Sequence, residues 1–142
     1  MSNLQSLTTR HFIVSLILGQ ILLLSACAGA SDWSYSDLPG NYAVYQINTS
    51  DVALVKVSED DTCLADIIIE SYVSEIAWTD NFILVQQTNP ESSDHNVSFY
   101  VVDIDSDEVH GPLSELEFND MIGQLKIEFD NSDWTSTSDL AP

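Results

Sequence analysis

Basic residues are nearly missing from this 142-residue chain: three Lys and Arg stand against 23 Asp and Glu, a net charge of −20 with histidine neutral. Such a field repels phosphate backbones and anionic head groups, which argues against a nucleic-acid partner. It attracts basic proteins or divalent cations, and it keeps a domain soluble. Cysteine is almost as scarce, with Cys27 and Cys63 the only two. Gly-x-Ser-x-Gly, His-Glu-x-x-His and Gly-rich phosphate loops do not occur. No apolar run reaches the length of about 20 residues that a membrane-crossing helix needs. The longest, residues 12–24 (FIVSLILGQILLL), has 13. With 44% hydrophobic residues the composition is that of a folded protein, and the length suits one domain.

That apolar run follows a polar N-terminus ending in Arg10-His11 and is followed by Leu24-Ser25-Ala26-Cys27-Ala28. A short basic region, a short apolar region and small residues before the cut have the proportions of an export signal. The string Leu24-Ser25-Ala26-Cys27 resembles the lipobox of bacterial lipoproteins. That resemblance implies a signal peptide over 1–26, removed before Cys27, and a Cys27 thiol carrying diacylglycerol. Several acyl chains at about 0.8 kcal/mol per buried CH₂ form a stable membrane anchor. The expected localisation is therefore the cell envelope. Ala28, standing where an Asp would retain the protein at an inner membrane, matches the outer-membrane class of Gram-negative lipoproteins. Cleavage removes Arg10 and leaves Lys56 and Lys126 against 23 acids, a net charge of −21. Cys63 is then alone, so no internal disulfide is expected. A small apolar residue opening a strand accounts for it.

Residues 27–38 read as the lipidated cysteine and a polar tether, and Pro39-Gly40 as the turn into a domain over 39–130. Strands are expected at 41–48, 51–58, 64–70, 73–79, 82–87 and 97–104, with a short one near 108–110. The segments FILV and DIII are apolar at every position, which suits strands covered on both faces. Asp80-Asn81 and residues 48–51 suit tight turns. Ser114 and Glu117 form a capping box, Leu113 and Phe118 a hydrophobic staple. Phe118, Met121, Ile122 and Leu125 then follow at helical spacing. A helix near 115–125, a closing strand near 126–130 and a frayed polar tail over 131–142 complete the expectation. The fold class is mainly β with one C-terminal helix (α+β), an antiparallel meander packed on that helix. The string IAWTDNFILVQQ, continued by FYVVDIDSDEVHGPLSELEF, resembles an uncharacterised family of small bacterial proteins, often lipoproteins, across residues 38–130.

Three groups of residues invite a chemical reading. Asp103, Asp105 and Asp107 alternate as in the opening of an EF-hand loop. Glu108 stands where that loop needs glycine, however, and Ser114 where it needs a bidentate glutamate. A polar hairpin turn accounts for the string, with weak Ca²⁺ binding or cation sensing as the alternative. His95 and His110 lack a second ligand at metal spacing. Trp33, Trp78 and Trp134 suggest sugar binding, although Trp78 beside Ile76 reads as core and the other two as aromatics docking on a domain edge. The expectation is therefore a membrane-anchored, non-catalytic module without a cofactor, working through a partner or as structure, with an unrecognised enzyme site as the remaining alternative.

Overall fold

A computed structural model describes residues 33–48, 51–58, 65–90 and 96–141. The export signal, the lipobox with Cys27, Cys63 and His95 lie outside the described residues. The fold is mainly β with one helix, as expected, but its strands form two antiparallel sheets rather than one meander. The first holds β1 (Trp33–Tyr35), β2 (Tyr42–Gln46), β3 (Val52–Val57) and β4 (Ala65–Ile69), in that order. The second is ordered β8-β7-β6-β5-β9, from β5 (Val73–Trp78), β6 (Phe82–Thr88), β7 (Val97–Asp103), β8 (Glu108–Leu113) and β9 (Thr135–Ser136).

The chain passes between sheets at residues 70–72, where Ser71 and Tyr72 both take left-handed backbone angles (φ 46° and 57°). The Gln87 side-chain amide clamps this corner, donating to the carbonyls of Glu70 (2.5 Å) and Ser71 (2.8 Å). The Tyr100 hydroxyl in turn donates to the Gln87 side-chain oxygen at 3.0 Å.

The sheets pack face to face. Tyr42, Val44, Leu54 and Ile69 from the first meet Val73, Ile76, Ile83, Val85 and Val102 from the second, all buried. The opposite face of the second sheet holds Ala77, Leu84 and Val101 under Phe118 of helix α1 (Glu115–Leu125) and under Ile127. Strands β5 to β7 are thus covered on both faces, which is why IAW, FILV and YVV carry apolar residues without alternation. The same expectation fails for DIII. Strand β4 lies at an edge of the first sheet, and Ile67 on it is 52% exposed.

Helix α1 starts as the sequence predicts. The Glu117 backbone N–H donates to the Ser114 hydroxyl, and the Glu117 carboxylate accepts from the Ser114 backbone N–H at 2.8 Å. Leu113 and Phe118 share one apolar cluster with Met121 and Ile122. Leu125 drops off the stripe, at 38% exposure. Replacing Ser114 with alanine is expected to cost about 1 kcal/mol by leaving orphan N–H groups at the helix start, a loss that urea titration reads directly.

No strand forms over 126–130. Lys126 caps α1 in the left-handed conformation (φ 55°), its N–H turned back on the helix carbonyls. The next N–H, of Ile127, returns to Ile122 at 3.0 Å, so these groups close the helix instead of joining a ladder. The tail is not frayed either. Thr135 pairs with Ile76 and Ser136 with Glu75. The buried Thr137 hydroxyl bridges the carbonyls of Val73 (3.0 Å) and Ser74 (3.2 Å). Trp134 folds back onto Phe118, with ring centroids 6.0 Å apart.

Candidate functional site

The acidic string closes the β7–β8 hairpin, and each of its carboxylates has a different partner. Asp103 folds the turn itself, its Oδ1 accepting the backbone N–H groups of Asp105 (2.9 Å) and Ser106 (3.1 Å). Asp105 accepts from the Asn81 amide at 3.4 Å, tying this turn to the β5–β6 hairpin. Asp107 reaches the other sheet, where Lys56 Nζ donates to its Oδ1 at 2.5 Å and the Tyr42 hydroxyl donates to the same oxygen at 2.9 Å. Among the described residues no three His, Cys, Asp or Glu side chains come together in a way that could hold a metal ion. The alternation that looks like a cation loop in sequence here closes a turn and pins it to the opposite sheet.

Lys56, one of the two lysines after Cys27, therefore sits at the heart of an inter-sheet pin. Its ammonium also lies 5.3 Å from the centroid of the Tyr42 ring, a cation–π contact. The Lys56 hydrogen bond, followed by that of Tyr42, holds the Asp107 carboxyl below the usual range. Burial, followed by the Asp107 hydrogen bond, pushes the Tyr42 hydroxyl up from 10.0 to about 12.

These shifts set a pH window. A carboxyl depressed in the folded state stabilises above its unfolded pKa, and that contribution is lost as pH falls through the folded value. A phenol raised in the folded state stabilises below its unfolded pKa and loses that contribution as pH climbs from about 10 to about 12. Melting temperature is therefore expected to decline between pH 10 and 12, and to decline less steeply in Tyr42→Phe. Equal slopes in the two proteins would refute the assignment.

Two depressions open beside the pin. One, of about 550 Å³, is lined by Gly40, Lys56, Asp66 and Ile104 among others. The second, of about 610 Å³, is lined by Ser34, Ser36, Tyr42 and Tyr45. They meet at Asn41, Val57 and Ser58. Gly40 makes this arrangement attainable. Its φ is +69°, and a Cβ there would stand 2.4 Å from Ile104 Cγ2, so only glycine lets the 39–41 turn lie against the acidic hairpin.

The remaining candidates take no part in the pin. His110 on β8 is partly buried and faces Val101 across the ladder, with its Nδ1 3.8 Å from the Glu108 carboxylate. Trp78 packs on the inter-sheet core, tilted against Tyr35 at 6.0 Å. Trp33 packs there too, so both flanking tryptophans dock on the domain. Trp134, Phe118, Phe99 and Phe129 form an aromatic group on the helix side that no sequence pattern indicated, because its members come from three separate segments.

Strand register fixes how these features lie along the domain. Trp33 pairs with Gln46, whereas Tyr42 pairs with Lys56 at the other end of β2. The chain thus enters the fold at the pole opposite the Lys56–Asp107 pin.

A family model described as "Protein of unknown function (DUF3997)" matches residues 39–132. No curated protein and no solved structure matches the chain.

Proposed function

The chain belongs to the DUF3997 family of proteins of unknown function, and from that premise we propose that it is a lipid-anchored envelope module that works by surface contact rather than catalysis. The supporting observation is the position of β1. Sequence alone suggests a tether over 27–38, but Trp33–Tyr35 is already a strand. Only residues 28–32 then separate Cys27 from the fold, a span of about 20 Å at full extension. In this reading the Gln46 end of the first sheet faces the bilayer and the pin faces away, while the second depression runs from the pin along the sheet to Ser34 and Tyr45, the pair next to Trp33–Gln46. That outward pole is where a basic partner would dock. A net charge of −21 speeds encounter with such a partner at low salt and less as salt rises.

The test is Cys27→Ser. The variant is expected to lose the lipid, remain an uncleaved precursor and carry no acyl mass, while the wild type partitions with membranes. A wild-type N-terminus that mass spectrometry finds unmodified, or begun at another residue, would end the anchor reading. In a second arm, His95→Ala with His110→Ala should still complement a deletion strain, whereas reversing the charge of Asp66 and Asp105 should not. Loss of complementation by a histidine change with the fold intact would point to catalysis instead.

A further inference from the structure

The edge of a sheet presents unpaired backbone N–H and C=O groups, and folded proteins blunt such edges. Among the described residues the two sheets have four edges, and three are blunted. Strands β1 and β9 have only three and two residues. Strand β8 carries Gly111-Pro112, where the ladder slips and a backbone N–H is missing. Strand β4 is the exception. It has five residues, no proline, and the run Ile67-Ile68-Ile69, a composition that suits a strand inside a sheet. Register shows where the sheet stops short. Ala43, Val55 and Ile67 form one row across β2, β3 and β4, and they are 0%, 2% and 52% exposed. The next row is Tyr42, Lys56 and Asp66. Lys56 is held by Asp107, and among the described residues the Asp66 carboxylate has no partner. The first row lacks an apolar side chain beside Ile67, and the second lacks a cation beside Asp66. Ile68 is the extra residue of a bulge, which closes the far half of this edge and leaves residues 65–67 open.

We infer that the open edge of β4 takes up an extended segment of a basic partner as an added strand, one with a lysine or arginine between two aliphatic residues. The aliphatic residues lie beside Ala65 and Ile67 and continue the apolar rows, since cross-strand pairs are the unit of sheet stabilisation. The cation lies beside Asp66. Backbone hydrogen bonds hold the segment, and its side chains select it. A second copy of this chain does not fit. It brings −21 of like charge, and its one lysine in a strand, Lys56, is held by Asp107. This mode of contact presupposes the basic partner proposed for the outward pole and adds how that partner is held. Asp66 lines the depression beside the pin, so the added strand would run along its rim.

Backbone amide exchange, followed by NMR on the full chain in detergent micelles, tests it with the peptide acetyl-Thr-Val-Lys-Val-Thr-amide at millimolar concentration. Protection is expected to rise at residues 65–67. The same peptide with glutamate for lysine should bind about tenfold more weakly, and so should one N-methylated at every backbone amide, which cannot donate to a strand. Asp66→Lys should invert the choice between the lysine and glutamate peptides, a result that loss of the fold cannot imitate. Ile67→Thr puts another β-branched residue at an exposed position, so the strand is kept, and binding should weaken about threefold. Unchanged protection at 65–67, equal binding of the glutamate or N-methylated peptide, or protection that rises with protein concentration alone, the mark of a second copy, would overturn strand addition. If the peptide fails while reversing Asp66 and Asp105 still abolishes complementation, strand addition falls and surface contact stands. If complementation also survives those reversals, both fall.

Discussion

Replacing Phe118 with alanine is expected to remove about 3–5 kcal/mol, the largest single loss available on the helix side. The ring is 2% exposed and touches three others: Phe99 at 4.9 Å, Trp134 at 6.0 Å and Phe129 edge-on at 6.1 Å. Those rings come from β7 and from the two sides of the returning tail. Truncation therefore removes apolar contact area and also the post around which α1 and the tail are fastened. Domains of this size are stable by about 5–15 kcal/mol in total, so the variant approaches its unfolding threshold. Urea denaturation checks this through the midpoint. A loss below about 1 kcal/mol would mean that the cluster collapses onto the gap and that the rings are less interlocked than their spacing indicates.

Gly111→Ala is the second severe change, and its cause is backbone space rather than a cavity. Gly111 lies in β8 with φ +151°, an angle that favours glycine. A Cβ there would stand 2.3 Å from Tyr100 Cδ1 and 2.9 Å from the Phe99 carbonyl oxygen. The tyrosine ring can give way, but only by straining its hydroxyl bond to Gln87, the residue that clamps the corner between sheets. The Phe99 carbonyl belongs to the β7 backbone and moves only with the strand. Overpacking of about 1–3 kcal/mol combines with backbone strain of about 1–3 kcal/mol. The melting temperature should fall by more than 10 °C, a drop that follows from about 3 kcal/mol at roughly 4–8 °C per kcal/mol in a small domain. Gly123→Ala is the control. Nothing lies within 4 Å of its Cβ position, and a helical glycine gains from the exchange, so that variant should melt no lower than the wild type.

The parts of the fold that were legible in sequence are those whose causes are local. The capping box at Ser114, the strands with continuous Val, Ile and Phe, and the Asp80-Asn81 turn all depend on residues a few positions apart. The division into two sheets does not. It turns on left-handed angles at Ser71 and Tyr72, neither of which is a residue type that announces such a bend, and on Gln87 holding the carbonyls of Ser71 and Glu70 from 16 and 17 positions away. Strands β1 and β9 escaped notice because three and two residues show no periodicity; only their partners make them strands. The predicted strand over KIEFD has the right composition, but Lys126 ends the helix first and Ile127 is used to bury its end.

The acidic string shows the same division from the other side. Its spacing correctly marks a turn. Asp103 acts within the turn, but what Asp105 and Asp107 do is decided by Asn81, 24 positions from Asp105, and by Lys56 and Tyr42, 51 and 65 positions from Asp107.

The chain leaves the fold where it enters. Thr137 is bonded at Val73, at the start of β5, and Leu140 packs in the same core group as Trp33. For an experimenter this governs where a handle can be attached. Under the proposed anchoring at Cys27, an affinity tag or fluorophore fused after residue 142 would be crowded against the lipid head groups and poorly accessible to antibodies or resin. A label inserted between Asp80 and Asn81, at the far end of the β5–β6 hairpin, would project into open solution. The closeness of the two ends also permits a short linker to join them, so new termini opened at that same hairpin should yield a circularly permuted domain that still folds.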